Sequence, residues 1–298
     1  MALAAPNLVA AQPREPLDYA LDSVMDWRTG ERWEFGISWM ALGCSPAEGR
    51  SGPGCDPADD IGLPKSFIGG GPIWGEATPF AVYGTFACKS VGFTFDEAQR
   101  IATAQLEARE IQRVEQAFWS GDLGSQPNLQ KYDGTTSVIL GGAAQPLDLG
   151  IGYLEYQIAT QYGSQGVIHM TRGMALMALG RELLVTEGDR LYTRLGTPVV
   201  AGTGYSGEGP TGQPATEYAQ SWAFATPAMF GYRGEIVTGS AEPGDLLDRT
   251  NNDLYALAER MYLLAFDPCG IAAVLLDATH CGSGGGGGGV AATYGDGG

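Results

Sequence analysis

The run of residues most suggestive of chemistry is Gly202-Thr203-Gly204-Tyr205-Ser206-Gly207, a G-x-G-x-x-G spacing that follows a strand-like stretch at 197–201. Such glycines hold a dinucleotide only when a helix starts on them and aims its positive end at a pyrophosphate. Here Pro210 and Pro214 follow, without helical periodicity, so the pattern predicts a flexible loop at a subunit junction rather than a cofactor cradle. Ser206 fails as a nucleophile elbow, because G-x-S-x-G breaks at Glu208. A serine system would also need His169 or His280, the only histidines, as its base. His169 lies in the apolar run 167–170 and reads as a satisfied core residue, while His280 adjoins a glycine tail where no base is preorganised. No Walker A run and no H-E-x-x-H occur, and the acid pair Asp59-Asp60 falls in loop sequence and reads as solvated. The expectation is a non-enzyme with no catalytic residue and no cofactor.

Five cysteines, Cys44, Cys55, Cys88, Cys269 and Cys281, form no C-x-x-C pair, and an odd number makes no disulfide framework. The apolar opening carries no Lys or Arg before Arg14, so no export is expected and reduced thiols are the default. Cys44 and Cys55 flank a Gly/Pro-rich loop and could bridge or hold a metal. Zinc wants four ligands, however, and the histidines lie far off in sequence, so no metal centre is expected.

The chain has 298 residues, with 17 Lys and Arg against 34 Asp and Glu, for a net charge of −17. That balance excludes a nucleic-acid reader, which needs a basic face to neutralise phosphates. Glycine contributes 46 residues, about twice the usual ~7 %, so many positions must fall in turns, bulges and loops. Yet 44 % of residues are hydrophobic, enough for a real core in a soluble globular protein. No uninterrupted apolar stretch approaches the ~18 residues of a membrane span. Only Lys65, Lys89 and Lys131 are lysines, and the bias to arginine reflects a GC-rich genome or, alternatively, an interface-rich protein.

The elements that must position these residues are legible in outline. Residues 1–29, with Pro6, Pro13 and Pro16, read as an extended arm. Over 32–40, Trp33, Phe35, Ile37 and Trp39 alternate with polar or small residues, the period of a half-buried strand. A Gly/Pro-rich loop at 43–79 follows, and a β-rich stretch at 80–88 is expected to pair back across it as a long hairpin. Thr94-Phe95-Asp96-Glu97 is a capping box that opens a helix running to Gly121. Its apolar stripe is predicted as Ala98, Ile101, Ala104, Ala108, Ile111, Val114 and Phe118; Arg100, Glu107, Arg109, Glu110, Arg113 and Glu115 fall on a charged face read as solvated, with a subunit contact as the alternative. A second helix is expected over 147–162, a short strand over 166–170, and a third helix capped by Thr171 through Leu184. Strands at 190–193 and 197–201 flank the turn Arg194-Leu195-Gly196. Runs at 221–229, 235–237, 254–266 and 271–276 read as strands, the last two joined by Asp267-Pro268-Cys269-Gly270, and the glycine run from 284 marks a flexible tail.

This order resembles the major capsid protein of tailed bacteriophages with the Hong Kong 97-type fold, an α+β class. Particular stretches are similar to capsid proteins of actinobacterial phages: Phe118-Trp119-Ser120-Gly121, Gly166-Val167-Ile168-His169, 195–205, and Ala258-Glu259-Arg260 followed by Asp267-Pro268-Cys269. The resemblance implies an N-arm at 1–29, an extended E-loop at 30–92, and a spine helix of the peripheral domain at 93–131. It implies an axial domain at 132–234, strands at 235–281 returning to the peripheral domain, and a tail at 282–298. Some members are crosslinked covalently from an E-loop lysine to a neighbour's asparagine with a glutamate as base, which would make Lys65, Asn251 or Asn252, and Glu259 the candidates.

The implied partners are further copies of the chain, as homo-pentamers and homo-hexamers, with portal, scaffolding and cement proteins, enclosing DNA without reading it and touching no membrane. The implied location is the virion capsid, assembled in the host cytoplasm, with no scaffolding domain fused ahead of the arm. An encapsulin-like shell around enzymes is the nearest rival. A soluble enzyme with the 202–217 loop as lid is a rival of another class.

Overall fold

The computed structural model describes residues 15, 17–42, 44, 47, 72–89, 93–131, 137–215, 217, 219–239, 247–248 and 253–279. In chain order the elements are β1 (Asp26–Arg28), β2 (Ile37–Ala41), β3 (Ile73–Ala77), β4 (Phe80–Lys89), α1 (Phe95–Ser120), β5 (Ser137–Pro146), α2 (Leu147–Tyr162), β6 (Val167–Thr171) and α3 (Arg172–Gly180). There follow β7 (Leu184–Glu187), β8 (Arg190–Thr193), β9 (Pro198–Gly202), β10 (Gln220–Thr226), β11 (Met229–Arg233), β12 (Val237–Thr238), β13 (Leu247–Asp248), β14 (Asp253–Phe266) and β15 (Ile271–Asp277). The class is α+β, as expected. A mixed seven-stranded sheet runs β5-β15-β10-β6-β9-β8-β7, with α2 over its β5 half and α3 over its β7 half. A six-stranded sheet is built around β14, flanked by β11, β12 and β13 and, on the other side, by β4. A separate β2–β3 hairpin stands beside it.

Helix α1 begins as its capping box dictates: the Thr94 hydroxyl accepts from Glu97 N–H, and the Glu97 carboxylate accepts from Thr94 N–H. Those bonds hold the Glu97 carboxyl below its usual range. Gly121 closes the helix in the left-handed region, at φ 73°. The rotation of the helix differs from the predicted stripe. Ala98, Ala102, Leu106, Val114, Ala117 and Phe118 are buried, whereas Ile101, Ala104, Ala108 and Ile111 are not. Gly84 in β4 decides this, because a Cβ there would stand 2.7 Å from Ala102 O and 2.8 Å from Leu106 N, so only glycine lets the helix backbone sit on the sheet at that point. Small residues all round α1 leave two usable stripes, and the glycine seat selects one. Glu110 and Glu115, expected on a solvated face, are buried.

Other expectations are corrected by turns of the chain. Residues 32–40 are not one strand: Trp33–Phe35 form a 3-10 turn closed by Gly36 N–H donating to Trp33 O, with Gly36 at φ 95°. Trp33 is thereby buried against Tyr232, and the strand starts only at Ile37. The stretch after the loop does not pair back with it. The partner of β2 is β3, in register Met40↔Trp74, and beyond Thr78 and Pro79 the chain turns so that β4 pairs along β14 instead. Helix α3 stops at Gly180, because Glu182 at φ 57° turns the chain into β7.

The run 254–266 is a strand, as predicted. It does not form a hairpin with 271–277, because Gly270 at φ 121° sends the chain across into the seven-stranded sheet, where β15 pairs with β10 and β5. The strands of 235–281 are thus split between the two sheets. The crossover carries a disulfide from Cys44 to Cys269, 225 residues apart, and Trp39 Nε1–H donates to Asp267 Oδ1 at 2.8 Å. Reduced thiols are the expectation, with a Cys44–Cys55 bridge or metal site the alternative; Cys44 instead closes on the crossover, and Cys55 lies outside the described residues. The tie pins the base of the hairpin to the body. Replacing Cys269 by serine is expected to cost about 2–4 kcal/mol in urea unfolding and to raise hydrogen exchange at Trp39 and Trp74. Unfolding midpoints that coincide with and without reductant would remove the disulfide's role.

Candidate functional site

The glycine-rich loop after β9 is followed by no helix, only a 3-10 turn at Pro210–Gly212. Its glycines allow close approach. A Cβ at Gly204 would lie 2.0 Å from Gln112 O in α1, one at Gly209 would lie 2.4 Å from the Trp222 ring, and Gly207 sits at φ 79°. Drawn against α1 in this way, the N–H groups of Thr203 and Gly204 donate to Glu115 Oε2 at 2.8 and 2.9 Å, and Leu21 N–H donates to Oε1 at 3.0 Å. Successive backbone donors of this kind form an anion nest. Here the anion is the protein's own carboxylate, so a phosphate has no vacancy to fill.

Burial pushes the Glu115 carboxyl pKa up, and the donors from Gly204, Leu21 and Thr203 pull it partly back. Glu115 therefore clasps three segments: the residue-21 arm, α1 and the glycine loop. The loop is further held by Trp119 Nε1–H donating to Glu208 O and by Thr211 N–H donating to Gln130 O. The flexible junction loop expected from its glycines is, over 202–211, packed on α1, which also removes the support for reading it as a mobile lid.

Beside the clasp lies His169, fully buried as predicted. Its Nδ1 is 3.0 Å from Tyr205 Oη and its Nε2 is 3.0 Å from Thr226 Oγ1. The Thr226 hydroxyl donates to Pro227 O, so it accepts from Nε2–H, and Nδ1 accepts from Tyr205. The ring is the neutral Nε2–H tautomer. Burial holds its pKa at about 3, against an ordinary 6.5, and keeps the Tyr205 hydroxyl protonated, its pKa well above the usual range. Phe118 packs edge-on against the imidazole at 5.4 Å. No serine is among the hydrogen-bond partners of His169; Ser206 instead faces Glu208. A part-buried pair, Arg260 Nη1 to both oxygens of Glu110 at 2.9 and 3.0 Å, ties β14 to α1.

The remaining sequence candidates scatter. Glu259 is half-buried on the face of β14 turned away from α1, paired in register with Tyr83 and Val237. Lys65, Asn251 and Asn252 lie outside the described residues, as do Asp59, Asp60 and His280. Among the described residues no group of His, Cys, Asp or Glu is arranged to hold a metal, and no helix is long and apolar enough to cross a membrane.

The surface is informative in another way. On the outer face of the hairpin Met40 and Trp74 are directly opposite each other, with Leu42 beside them; Trp74 is 59 % and Leu42 79 % exposed. Along α2, Leu149, Tyr153 and Tyr156 recur at i, i+4 and i+7 on the exposed side, while Leu147, Ile151, Leu154 and Ile158 face the sheet. Tyr83 and Tyr255 stand on the outer face of the six-stranded sheet. Exposed Trp and Tyr grouped with aliphatic residues mark protein–protein contact surfaces.

No protein-family model and no curated protein matches the chain. Solved structures do. The capsid of an empty gene transfer agent (GTA) particle matches with TM-score 0.51 at 13 % identity, over 92 % of this chain and 95 % of that one. A structure from Mycobacterium phage Ogopogo matches with TM-score 0.52 at 11 % identity, over 92 % and 97 %. The chain has the Hong Kong 97-type capsid fold. A Synechococcus elongatus encapsulin shares this capsid fold with TM-score 0.50 at 12 % identity, over 93 % of this chain and 94 % of that one.

Identity this low explains why a capsid fold can be present where no family model registers, since the fold rests on burial pattern and glycine seats more than on residue identity. Sequence reasoning missed Glu115, the Cys44–Cys269 tie and Trp74. Only Glu115 left a signal, standing four residues from Ile111 and three from Phe118, at an apolar phase of its helix.

Proposed function

We propose that this chain is the major capsid protein of a tailed phage, assembling into pentamers and hexamers of an icosahedral head around double-stranded DNA. What supports the reading most is end-to-end agreement with capsid structures, over 92 % of this chain and 95 % or more of theirs. In this reading α1 and the six-stranded sheet form the peripheral domain, and the seven-stranded sheet forms the axial domain. The β2–β3 hairpin with residues 43–72 is the E-loop, and the residues before β1 are the N-arm.

The chain acts by binding copies of itself, not by catalysis. A heterologous contact repeated around five- and six-fold axes closes a shell, and many modest contacts per subunit add through multivalency. Trp74, Met40 and Leu42 are the anchors by which the hairpin lies on a neighbour. The net charge of −17 suits a container that encloses DNA without adhering to it. Portal, scaffolding and cement proteins complete the head, which assembles in the host cytoplasm.

The test is expression followed by sedimentation and negative-stain microscopy. Shells of uniform size are expected, and a species that stays near 31.3 kDa under every condition sinks the reading. Trp74→Asp is expected to leave far-UV circular dichroism unchanged while lowering shell yield at least about tenfold, the effect of removing a hot-spot residue. Nuclease-protected DNA in native particles supports the phage head, and protein cargo without DNA supports an encapsulin. Denaturing electrophoresis of the same particles addresses a Lys65 to Asn251 or Asn252 crosslink assisted by Glu259: a ladder of multimers is expected if it forms, and one monomer band excludes it.

A further inference from the structure

The bond between Cys44 and Cys269 joins three parts of the fold. Cys44 follows the end of β2, at the base of the hairpin whose outer face carries Met40, Leu42 and Trp74. Cys269 lies in the 267–270 crossover, which carries the chain from β14 in the six-stranded sheet to β15 in the seven-stranded sheet. The bond thus couples the hairpin to the joint between the two sheets. Both cysteines are half-buried, so small thiols and disulfides can reach them. A second, non-covalent tie lies beside the bond. Trp39 Nε1–H donates to Asp267 Oδ1 at 2.8 Å, and the Trp39 ring packs edge-on against Phe230 at 5.0 Å. When the bond opens, these contacts keep the hairpin base against the crossover. The two Cα atoms, 4.8 Å apart in the closed form, then stay near the separation a disulfide needs.

We propose that Cys44 and Cys269 form a reversible redox latch, open while the chain assembles in a reducing cytoplasm and closed once the particle meets an oxidising medium, where it fixes the hairpin to the joint between the sheets. The timing rests on the shell reading; the reversibility does not. Cytosolic thiol pools keep accessible cysteines reduced, whereas disulfides persist outside the cell. Closure is an exchange with a small disulfide of the glutathione disulfide type. The thiolate of one cysteine attacks it, displaces one small thiolate and forms a mixed disulfide. The thiolate of the other cysteine then attacks the protein-bound sulfur and displaces the second small thiolate. Two protein thiols become one disulfide, and the small disulfide is reduced to two thiols. An open hairpin, held at its base by the Trp39 contacts, can adjust its outer face to a neighbour during assembly. A closed one keeps the pose it has found. The cysteines are 225 residues apart in sequence, and a crosslink across so long a loop is the kind that constrains a chain most.

The test uses the full chain with Cys55, Cys88 and Cys281 replaced by serine, so that one pair alone can close. Protein purified under dithiothreitol is equilibrated in glutathione buffers of graded reduced-to-oxidised ratio, quenched with a thiol-alkylating mass tag and separated by denaturing electrophoresis. One transition is expected, from two tags per chain to none, the same in both directions, with the open form predominant at the cytosolic ratio. Shells assembled under reductant and then oxidised should survive in guanidinium at least about tenfold longer than the same shells kept reduced, a modest rise in the barrier to unfolding. Cys44→Ser shells, or Cys269→Ser shells should the first fold poorly, should show no such difference. Three results would each overturn the latch: no tagging at the most reducing ratio, full tagging that persists under glutathione disulfide, or equal shell lifetimes. If no shell forms, the shell reading fails by itself and the latch is read on the free chain. Hydrogen exchange at Trp39 and Trp74 should then be at least about tenfold faster in the reduced form, and equal exchange overturns the latch there.

Discussion

Replacing Glu115 by alanine is expected to destabilise the protein by roughly 3–5 kcal/mol, the range for stripping a buried charged group from the donors that face it. The carboxylate accepts from the backbone N–H groups of Leu21, Thr203 and Gly204 and from the Thr203 hydroxyl at 3.3 Å. Burial works against the charged form, which is why the carboxyl pKa is raised despite four donors. Its removal is worse, because three backbone donors then lose the acceptor that satisfies them, each at about 1–3 kcal/mol. Glu115→Gln separates charge from hydrogen bonding. The amide keeps one acceptor oxygen but turns its NH2 toward a donor, so an intermediate loss is expected.

Gly204→Ala attacks the same clasp from the loop side, since the new Cβ would meet Gln112 O at 2.0 Å and the backbone on both sides is fixed. A similar loss is expected. Because either change releases the loop from α1, the double variant should lose less than the sum of the two. The measurement is urea unfolding at fixed protein concentration, since association shifts apparent stability. A Glu115→Ala variant within about 1 kcal/mol of the parent, no more than one ordinary hydrogen bond, would show that the clasp is not made.

What could be read in advance, and what could not, follows from the range of the interactions involved. The start and stop of α1 are local chemistry, written in Thr94, Glu97 and Gly121, and they come out residue for residue. The strand at Leu254–Phe266 and the helix at Leu147–Tyr162 are likewise carried by pattern. The rotation of α1 is not local. It is set by Gly84, which no periodicity of the helix itself reveals, and the error puts Glu110 and Glu115 on the wrong face. The partner of β2 is hidden for a related reason: β3 and β4 are both β-type, and only the turn at Thr78 and Pro79 decides which one stays with the hairpin. The pairing of Cys44 with Cys269 spans 225 residues and requires knowing that the 267–270 crossover passes the hairpin base. Local signals were legible; contacts chosen by a distant glycine or crossover were not.

Lowering the pH from 7 toward 4.5 is expected to weaken the fold through His169, and the sign can be worked out. The imidazole pKa is about 3 in the folded protein, with burial as the cause, against an ordinary 6.5. The folded state therefore prefers the neutral ring, and this contribution is complete above about pH 6.5, the unfolded value. As the pH falls, the unfolded chain takes up a proton that the folded chain refuses, and stability drops at about 1.4 kcal/mol per unit until the folded value is reached. By pH 4.5 the loss is on the order of 3 kcal/mol. Glu115 contributes with the opposite sign, because its raised pKa favours the folded state at low pH and this advantage disappears as the pH rises through the folded value. A total stability curve would mix the two.

The comparison that isolates His169 is with His169→Gln, which keeps a donor and an acceptor for Thr226 and Tyr205 but cannot titrate. The variant is expected to be less stable than the parent at pH 7 by about 2 kcal/mol, from a shorter and imperfectly placed side chain in a tight core. The gap should close as the pH falls, because only the parent has a histidine to protonate on unfolding, while Glu115 is common to both. Urea unfolding of the two proteins at half-unit steps between pH 7 and 4.5 gives the difference directly. Parallel curves would mean that His169 is charged or solvated in the folded protein, and the Tyr205–His169–Thr226 chain of hydrogen bonds could not then exist in its neutral form.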